Sequence, residues 1–223
     1  PQFPKPMPGL LRHLTSIHKQ TIPTHNQGFT LREMIVVAAI IGITTTAALP
    51  DFQRGIAQGK VDRYTNNIET GFFNLKARVS AYKIGCEINF QAHRNFKVNT
   101  FMQPASFLEL QNDDGSRKTT DHLASCRTAT DPSLNSEALR VVNIEGANER
   151  RDVLVSATSG AFSFTPAGTT ASAHDLTILI QSKDAAAPWA LNKRGESKLI
   201  TRCVEVTGNG QVYSGTWLSG TCT

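Results

Sequence analysis

The sequence predicts an α+β fold in which a long N-terminal α-helix packs on a C-terminal antiparallel β-sheet. Three observations predict it. An uncharged apolar run from Met34 to Leu49 leads into a segment whose apolar residues recur at helical spacing through Tyr82. From Leu139 onward the pattern changes to short runs rich in Val, Ile, Phe and Thr. Turn-forming triplets, Thr158-Ser159-Gly160 and Gly208-Asn209-Gly210, separate consecutive runs, as hairpin connections do.

The chain opens with a basic stretch. Residues 1–28 hold Lys5, Arg12, Lys19, His13, His18 and His25, and no Asp or Glu. A cationic, acid-free leader ahead of an apolar segment stays on the cytoplasmic side and sets the orientation of that segment. The chain begins at Pro1 rather than Met, so its translation start is expected upstream. No convincing A-x-A cleavage site follows Leu49, where Pro50, Asp51 and Phe52 stand instead, so the apolar segment is expected to stay in the mature chain.

Met34–Leu49 runs for sixteen residues without a charge, and from Phe29 the segment reaches 21 residues. As a helix that is about 30 Å, the thickness of a bilayer core. Arg32 and Glu33 are then expected at one interface. Thr44, Thr45 and Thr46 lower the hydrophobicity and can bond back to their own helix, so the run is only marginally lipophilic. Thr30-Leu31-Arg32-Glu33 also has the form of a capping box.

Beyond Asp51 the apolar residues fall at Phe52, Ile56, Tyr64, Ile68, Phe72, Leu75, Val79 and Tyr82. From Tyr64 their spacing traces one helical face, and Lys60, Arg63, Asn67, Asn74, Lys76 and Arg78 cover the other. The helix is predicted to end at Gly85, just before Cys86. Gly42, Pro50, Gly55 and Gly59 are expected points of bending or local melting. An apolar stripe of this kind reads as core rather than as a ligand site.

Residues 86–138 read as irregular. Asn112-Asp-Asp-Gly-Ser116, Asp131-Pro132 and many Ser and Thr mark turns,. Phe101–Leu110 is expected to hold a short helix opened by Pro104. Asp113, Asp114 and Asp121 do not match the EF-hand spacing and read as a solvated loop. Beyond this region the strand-like runs are Leu139–Glu145, Asp152–Ala157, Ala161–Thr165, Asp175–Gln181, Lys198–Val206 and Gln211–Trp217. Consecutive short strands with tight turns predict an antiparallel sheet. The layout is therefore a leader (1–28), a long helix (29–84), an irregular region (85–138) and a sheet (139–223).

Cys86, Cys126, Cys203 and Cys222 contain no C-x-x-C pair, which argues against a zinc site or redox motif,. Disulfides suit an exported domain, and three pairings exist. The favoured one joins Cys203 to Cys222 and Cys86 to Cys126; four buried free thiols are the alternative. The net charge is +5, of which the leader carries +3, leaving +2 for the rest. Bulk charge therefore makes no case for nucleic-acid binding.

Gly28-Phe29-Thr30-Leu31-Arg32-Glu33-Met34, behind a basic leader and ahead of an apolar run, resembles the processing site of type IV pilins and type II secretion pseudopilins. The resemblance extends through Tyr82 and implies a pilin-like fold. It implies that prepilin peptidase cuts between Gly28 and Phe29 on the cytoplasmic side and methylates the new N-terminus of Phe29. It also implies that Glu33, fifth in the mature chain, meets the N-terminal amine of a neighbouring subunit during filament assembly. Opposite charges about 4 Å apart attract by roughly 4 kcal/mol at an effective dielectric near 20, before desolvation is subtracted. Gly42 and Pro50 fall where family members often have helix-weakening residues. The stretch from Cys203 to Cys222 is similar to the last hairpin of GspH/FimT-like minor pilins, with Gly-Asn-Gly where an arginine often follows the glycine.

Three classes of function compete. The first is a minor pilin or pseudopilin of a type IV pilus or type II secretion filament. Its implied partners are prepilin peptidase, other pilin subunits and an ATPase-driven inner-membrane assembly platform. The precursor is expected in the bacterial inner membrane as a single-pass protein with its soluble domain outside the cytoplasm. The assembled subunit is expected in a filament at the periplasm or cell surface. The second is a DNA-binding minor pilin acting in DNA uptake. Lys193, Arg194, Lys198 and Arg202, offset by Glu196, form a local basic cluster that Arg150 and Arg151 would extend toward phosphates,. The third is an anchored enzyme. No G-x-S-x-G, H-E-x-x-H or phosphate-loop motif is present, and His93, His122 and His174 are isolated in sequence,. No cofactor is called for.

Overall fold

The computed structural model describes residues 29–92, 96–103, 126, 149–172 and 174–223. The chain divides into two units, residues 1–43 and 44–223. The described part of the first unit is the opening of helix α1, which runs over Leu31–Tyr82. The helix continues without interruption through Gly42, Pro50, Gly55 and Gly59. Pro50 has no N–H to donate to the carbonyl four residues before it, yet the flanking turns remain helical.

In the second unit α1 packs on antiparallel strands. Its buried apolar side chains are Ala57, Val61, Tyr64, Ile68, Phe72, Leu75 and Val79, steps of four, three, four, four, three and four. Val61 thus belongs to the stripe read from the sequence, whereas Phe52, Ile56 and Tyr82 are exposed. Phe52 and Ile56 lie about 120° and 80° around the helix axis from Tyr64, so they leave the buried face. Tyr82 has the right phase but is the last helical residue.

The helix stops at Tyr82, two residues short of the expected bound at residue 84. Lys83 takes a left-handed conformation, φ 56°. Ile84 N donates to Val79 O and Lys83 N to Ser80 O, the paired bonds of a Schellman motif. Ile84 packs against the core that includes Val79, the hydrophobic contact that accompanies this cap.

Among the described residues the strands are β1 (Cys86–Asn89), β2 (Val153–Ala157), β3 (Ala161–Phe164), β4 (Leu176–Ser182), β5 (Arg202–Val206), β6 (Val212–Leu218) and β7 (Thr221–Cys222). They form a five-stranded sheet ordered β2-β4-β5-β6-β7 and a separate β1-β3 pair. Every pairing is antiparallel.

Two expectations are corrected here. Cys86–Asn89, read as the start of an irregular region, is a strand whose Cys86 and Ile88 are buried while Glu87 and Asn89 are exposed. Four residues are too short a run to show that alternation against turn-rich surroundings. Thr158-Ser159-Gly160 is not a hairpin turn. It carries the chain from one sheet to the other, because β2 pairs with β4 and β3 with β1. Gly208-Asn209-Gly210 does join paired strands, β5 and β6. Gly210 takes φ 78°, and a Cβ there would lie 2.3 Å from Gly168 O, so only glycine fits. The expected strand at Leu139–Glu145, the leader and most of the expected helix at Phe101–Leu110 lie outside the described residues. Within that last segment Met102 forms an antiparallel bridge with Val155 on the outer edge of β2.

The core lies between α1 and the strands. Phe72 meets Phe164 with ring centroids 6.5 Å apart, and Phe162 meets Phe164 edge-on at 5.3 Å. Polar residues beside the helix stripe tie it to the strands: Lys76 donates to Gly210 O, and Glu69 accepts from Ser214 Oγ. Cys86 is bonded to Cys126, and Cys203 to Cys222.

Candidate assembly and processing site

Phe29 and Thr30 precede the helix, and Glu33 is the acidic residue of its first turn. Thr30 N donates to Glu33 Oε2 at 2.7 Å, Thr30 Oγ1 donates to the same oxygen at 3.0 Å, and Glu33 N donates to Thr30 Oγ1 at 3.3 Å. This is a reciprocal capping box. It orders the first turn and leaves the carboxylate exposed at the helix start, where a negative charge is favoured by the helix dipole. The capping reading and an intermolecular role for Glu33 are therefore compatible in geometry.

Behind Glu33 the helix surface is apolar and uncovered. Met34, Ile35, Val36, Val37, Ile40, Ile41, Ile43 and Leu49 are all exposed. The helix is long and apolar enough at this end to cross a membrane. Nothing meets a Cβ built at Gly42, and Pro50 is half-buried. Gly28, the expected cleavage position, lies outside the described residues; its neighbour Phe29 is exposed.

The basic residues differ in their surroundings. Lys193, Arg194 and Lys198 are exposed in the connection between β4 and β5. Arg202 is instead tied to the helix: its Nε lies 2.7 Å from Asp62 Oδ1, and its Nη1 donates to Thr216 Oγ1. Burial acts to raise the Asp62 pKa, but hydrogen bonds from Arg202 and Gln58 outweigh it and hold the carboxyl below its usual range. Arg150 is buried, while Arg151 is exposed. The sequence could not reveal the Arg202 pairing, because its partner is 140 residues away.

A second ionic tie uses Asp152, which sequence reasoning did not single out. Its two oxygens accept Lys183 Nζ at 2.7 Å and Lys60 Nζ at 2.6 Å. These hydrogen bonds, Lys183 first, hold the Asp152 carboxyl below its ordinary pKa. Asp152 thereby links α1 to both β2 and β4 at their adjoining ends.

A long N-terminal helix followed by an antiparallel sheet is a pilin-like α+β layout. The family model for the prokaryotic N-terminal methylation motif matches residues 23–49, which include the basic leader's end, Gly28, Glu33 and the apolar run. The match supports a pilin or pseudopilin type of subunit. No curated protein and no solved structure matches the chain.

Proposed function

We propose that the protein is a minor pilin or pseudopilin, cut between Gly28 and Phe29 by prepilin peptidase and N-methylated at Phe29. It is held in the inner membrane by residues 29–49 until it is drawn into a filament. The observation that carries this reading is the methylation motif at the head of a helix whose first turns are apolar and exposed, whereas burial begins only at Ala57. In the membrane lipid covers the exposed stretch. In the filament neighbouring helices replace the lipid, so helix packing and the Glu33–amine pairing supply the preference for assembly. A heterologous contact that does not close generates a helical fibre.

The test is expression of the full chain with a prepilin peptidase, followed by mass analysis of its N-terminus. Cleavage after Gly28 with one added methyl on Phe29 is expected, and Gly28→Val is expected to leave the precursor intact. Glu33→Ala is expected to be processed and inserted yet to drop out of sheared filaments. Wild-type incorporation of that variant would remove the pairing from the mechanism. The nucleic-acid reading rests on Lys193, Arg194 and Lys198, since Arg202 is paired within the fold.

A further inference from the structure

The connection between β4 and β5 folds back onto α1 a short way past the end of the apolar run. Arg54 Nε donates to Trp189 O at 2.7 Å. Gln58 makes a two-way pairing with Ile200: Ile200 N donates to Gln58 Oε1 at 2.9 Å, and Gln58 Nε2 donates to Ile200 O at 3.3 Å. Beneath these bonds Ala57, Ala190 and Leu199 form a small buried cluster with Ala187 and Trp189 packed against it. The connection is thus fixed to the helix at residues 54–58.

Its tip is a built turn. Asn192 Oδ1 accepts from Arg194 N and Glu196 N, Asn192 Nδ2 donates to Glu196 Oε2, and Gly195 takes φ 79°. The turn holds Lys193 and Arg194 outward with Lys198 close in sequence, all exposed, while Glu196 is drawn back by Asn192. Leu49 ends the apolar run. Arg54 stands five residues further on, about 7 Å along the helix, and a headgroup layer is about 5–8 Å deep. A tryptophan and a group of cations in a connection fastened to the helix there match the composition of a membrane interface.

We propose that residues 187–200 form an interfacial foot. Trp189 sits at the headgroup level, and Lys193, Arg194 and Lys198 hold the phosphates of anionic lipids. The foot sets how the soluble domain stands on the bilayer before the subunit is extracted. This rests on the reading of residues 29–49 as a membrane anchor. Lipid phosphate is favoured over nucleic-acid phosphate because the loop is fastened to the helix beside the anchor's end and carries few cations.

The test uses the full chain, with Trp217→Phe so that Trp189 is the remaining tryptophan. The chain is reconstituted into vesicles of phosphatidylcholine alone or mixed with phosphatidylglycerol. Flotation reports insertion, and quenching by lipids brominated near the headgroup reports docking of the loop. In floated protein, quenching is expected to be strong with phosphatidylglycerol, weak without it and reduced by salt. Each cation changed to Gln should weaken docking roughly fivefold, while Lys193→Arg with Lys198→Arg should preserve it. Equal quenching in both vesicle types, or none in floated protein, would overturn the foot and leave the anchor standing. A chain that fails to float overturns the anchor and the foot with it. Salt-sensitive DNA binding by the detergent-solubilised chain, lost in the same Gln variants without any lipid effect, would assign the cluster to nucleic acid instead.

Discussion

Lys83 shows what one residue contributes at a helix end. The Schellman cap requires a left-handed residue, and a lysine there carries a Cβ penalty that glycine does not. Lys83→Gly is therefore expected to stabilise the domain by about 0.5–1 kcal/mol, and Lys83→Val to destabilise it, as read from urea unfolding midpoints. A less stable glycine variant would contradict the strain. Asp152 makes a pH-dependent contribution. Its folded pKa lies below the ordinary value, so its stabilising effect is full above the unfolded carboxylate value of about 3.9. That effect is lost as the pH falls from there through the lowered folded value. Solvent screening keeps it to about 1 kcal/mol or less. Asp152→Asn should lower stability at neutral pH and flatten the decline as the pH falls below about 4, followed by thermal unfolding across acid pH. An unchanged acid limb would show that other carboxylates dominate it.

At the scale of the element, α1 carries two different surfaces along one helix. Its later turns are core. Phe72→Ala is expected to cost about 3–5 kcal/mol, whereas Ile56→Ala, at an exposed position, should stay within about 0.5 kcal/mol. Equal losses would mean that the buried stripe is wrongly assigned. The stripe from Tyr64 to Val79 was legible because helical periodicity is a local signal. Five of the six expected strands fall on described residues, and each coincides with an observed strand to within a few residues. Their partners were less legible. The turn at Thr158–Gly160 has hairpin composition, yet it switches sheets because β3 finds its partner in β1, a strand too short to announce itself. Side-chain pairing across the fold was equally hard to read. Arg202 is basic in sequence, but Asp62 claims its guanidinium from across the fold.

For the whole molecule, the division of labour runs along the chain. The apolar segment exposes its large side chains, Met34, Ile40, Ile43 and Leu49 among them, and the domain beyond it is closed by two disulfides. The bonds span 40 and 19 residues, lengths for which chain entropy predicts about 4 and 3 kcal/mol. Reduction is therefore expected to lower the melting temperature of the domain substantially. Removing Cys86–Cys126 through paired Ser substitutions should cost at least as much as removing Cys203–Cys222. A reduced protein that melts like the oxidised one would show that the core alone suffices.

The C-terminal disulfide has a mechanical consequence. Cys222 lies in β7, at the edge of the five-stranded sheet, while Cys203 lies in β5, its central strand. Gly215, paired opposite Cys203 on β6, leaves room for the backbone of Thr223, whose oxygen a Cβ there would meet at 2.6 Å. Tension applied at residue 222 therefore bypasses β6 and enters the middle of the sheet through a covalent bond. The outer hairpin cannot be unzipped one hydrogen bond at a time. Load must instead shear β5 from β4, so the sheet resists pulling as a block.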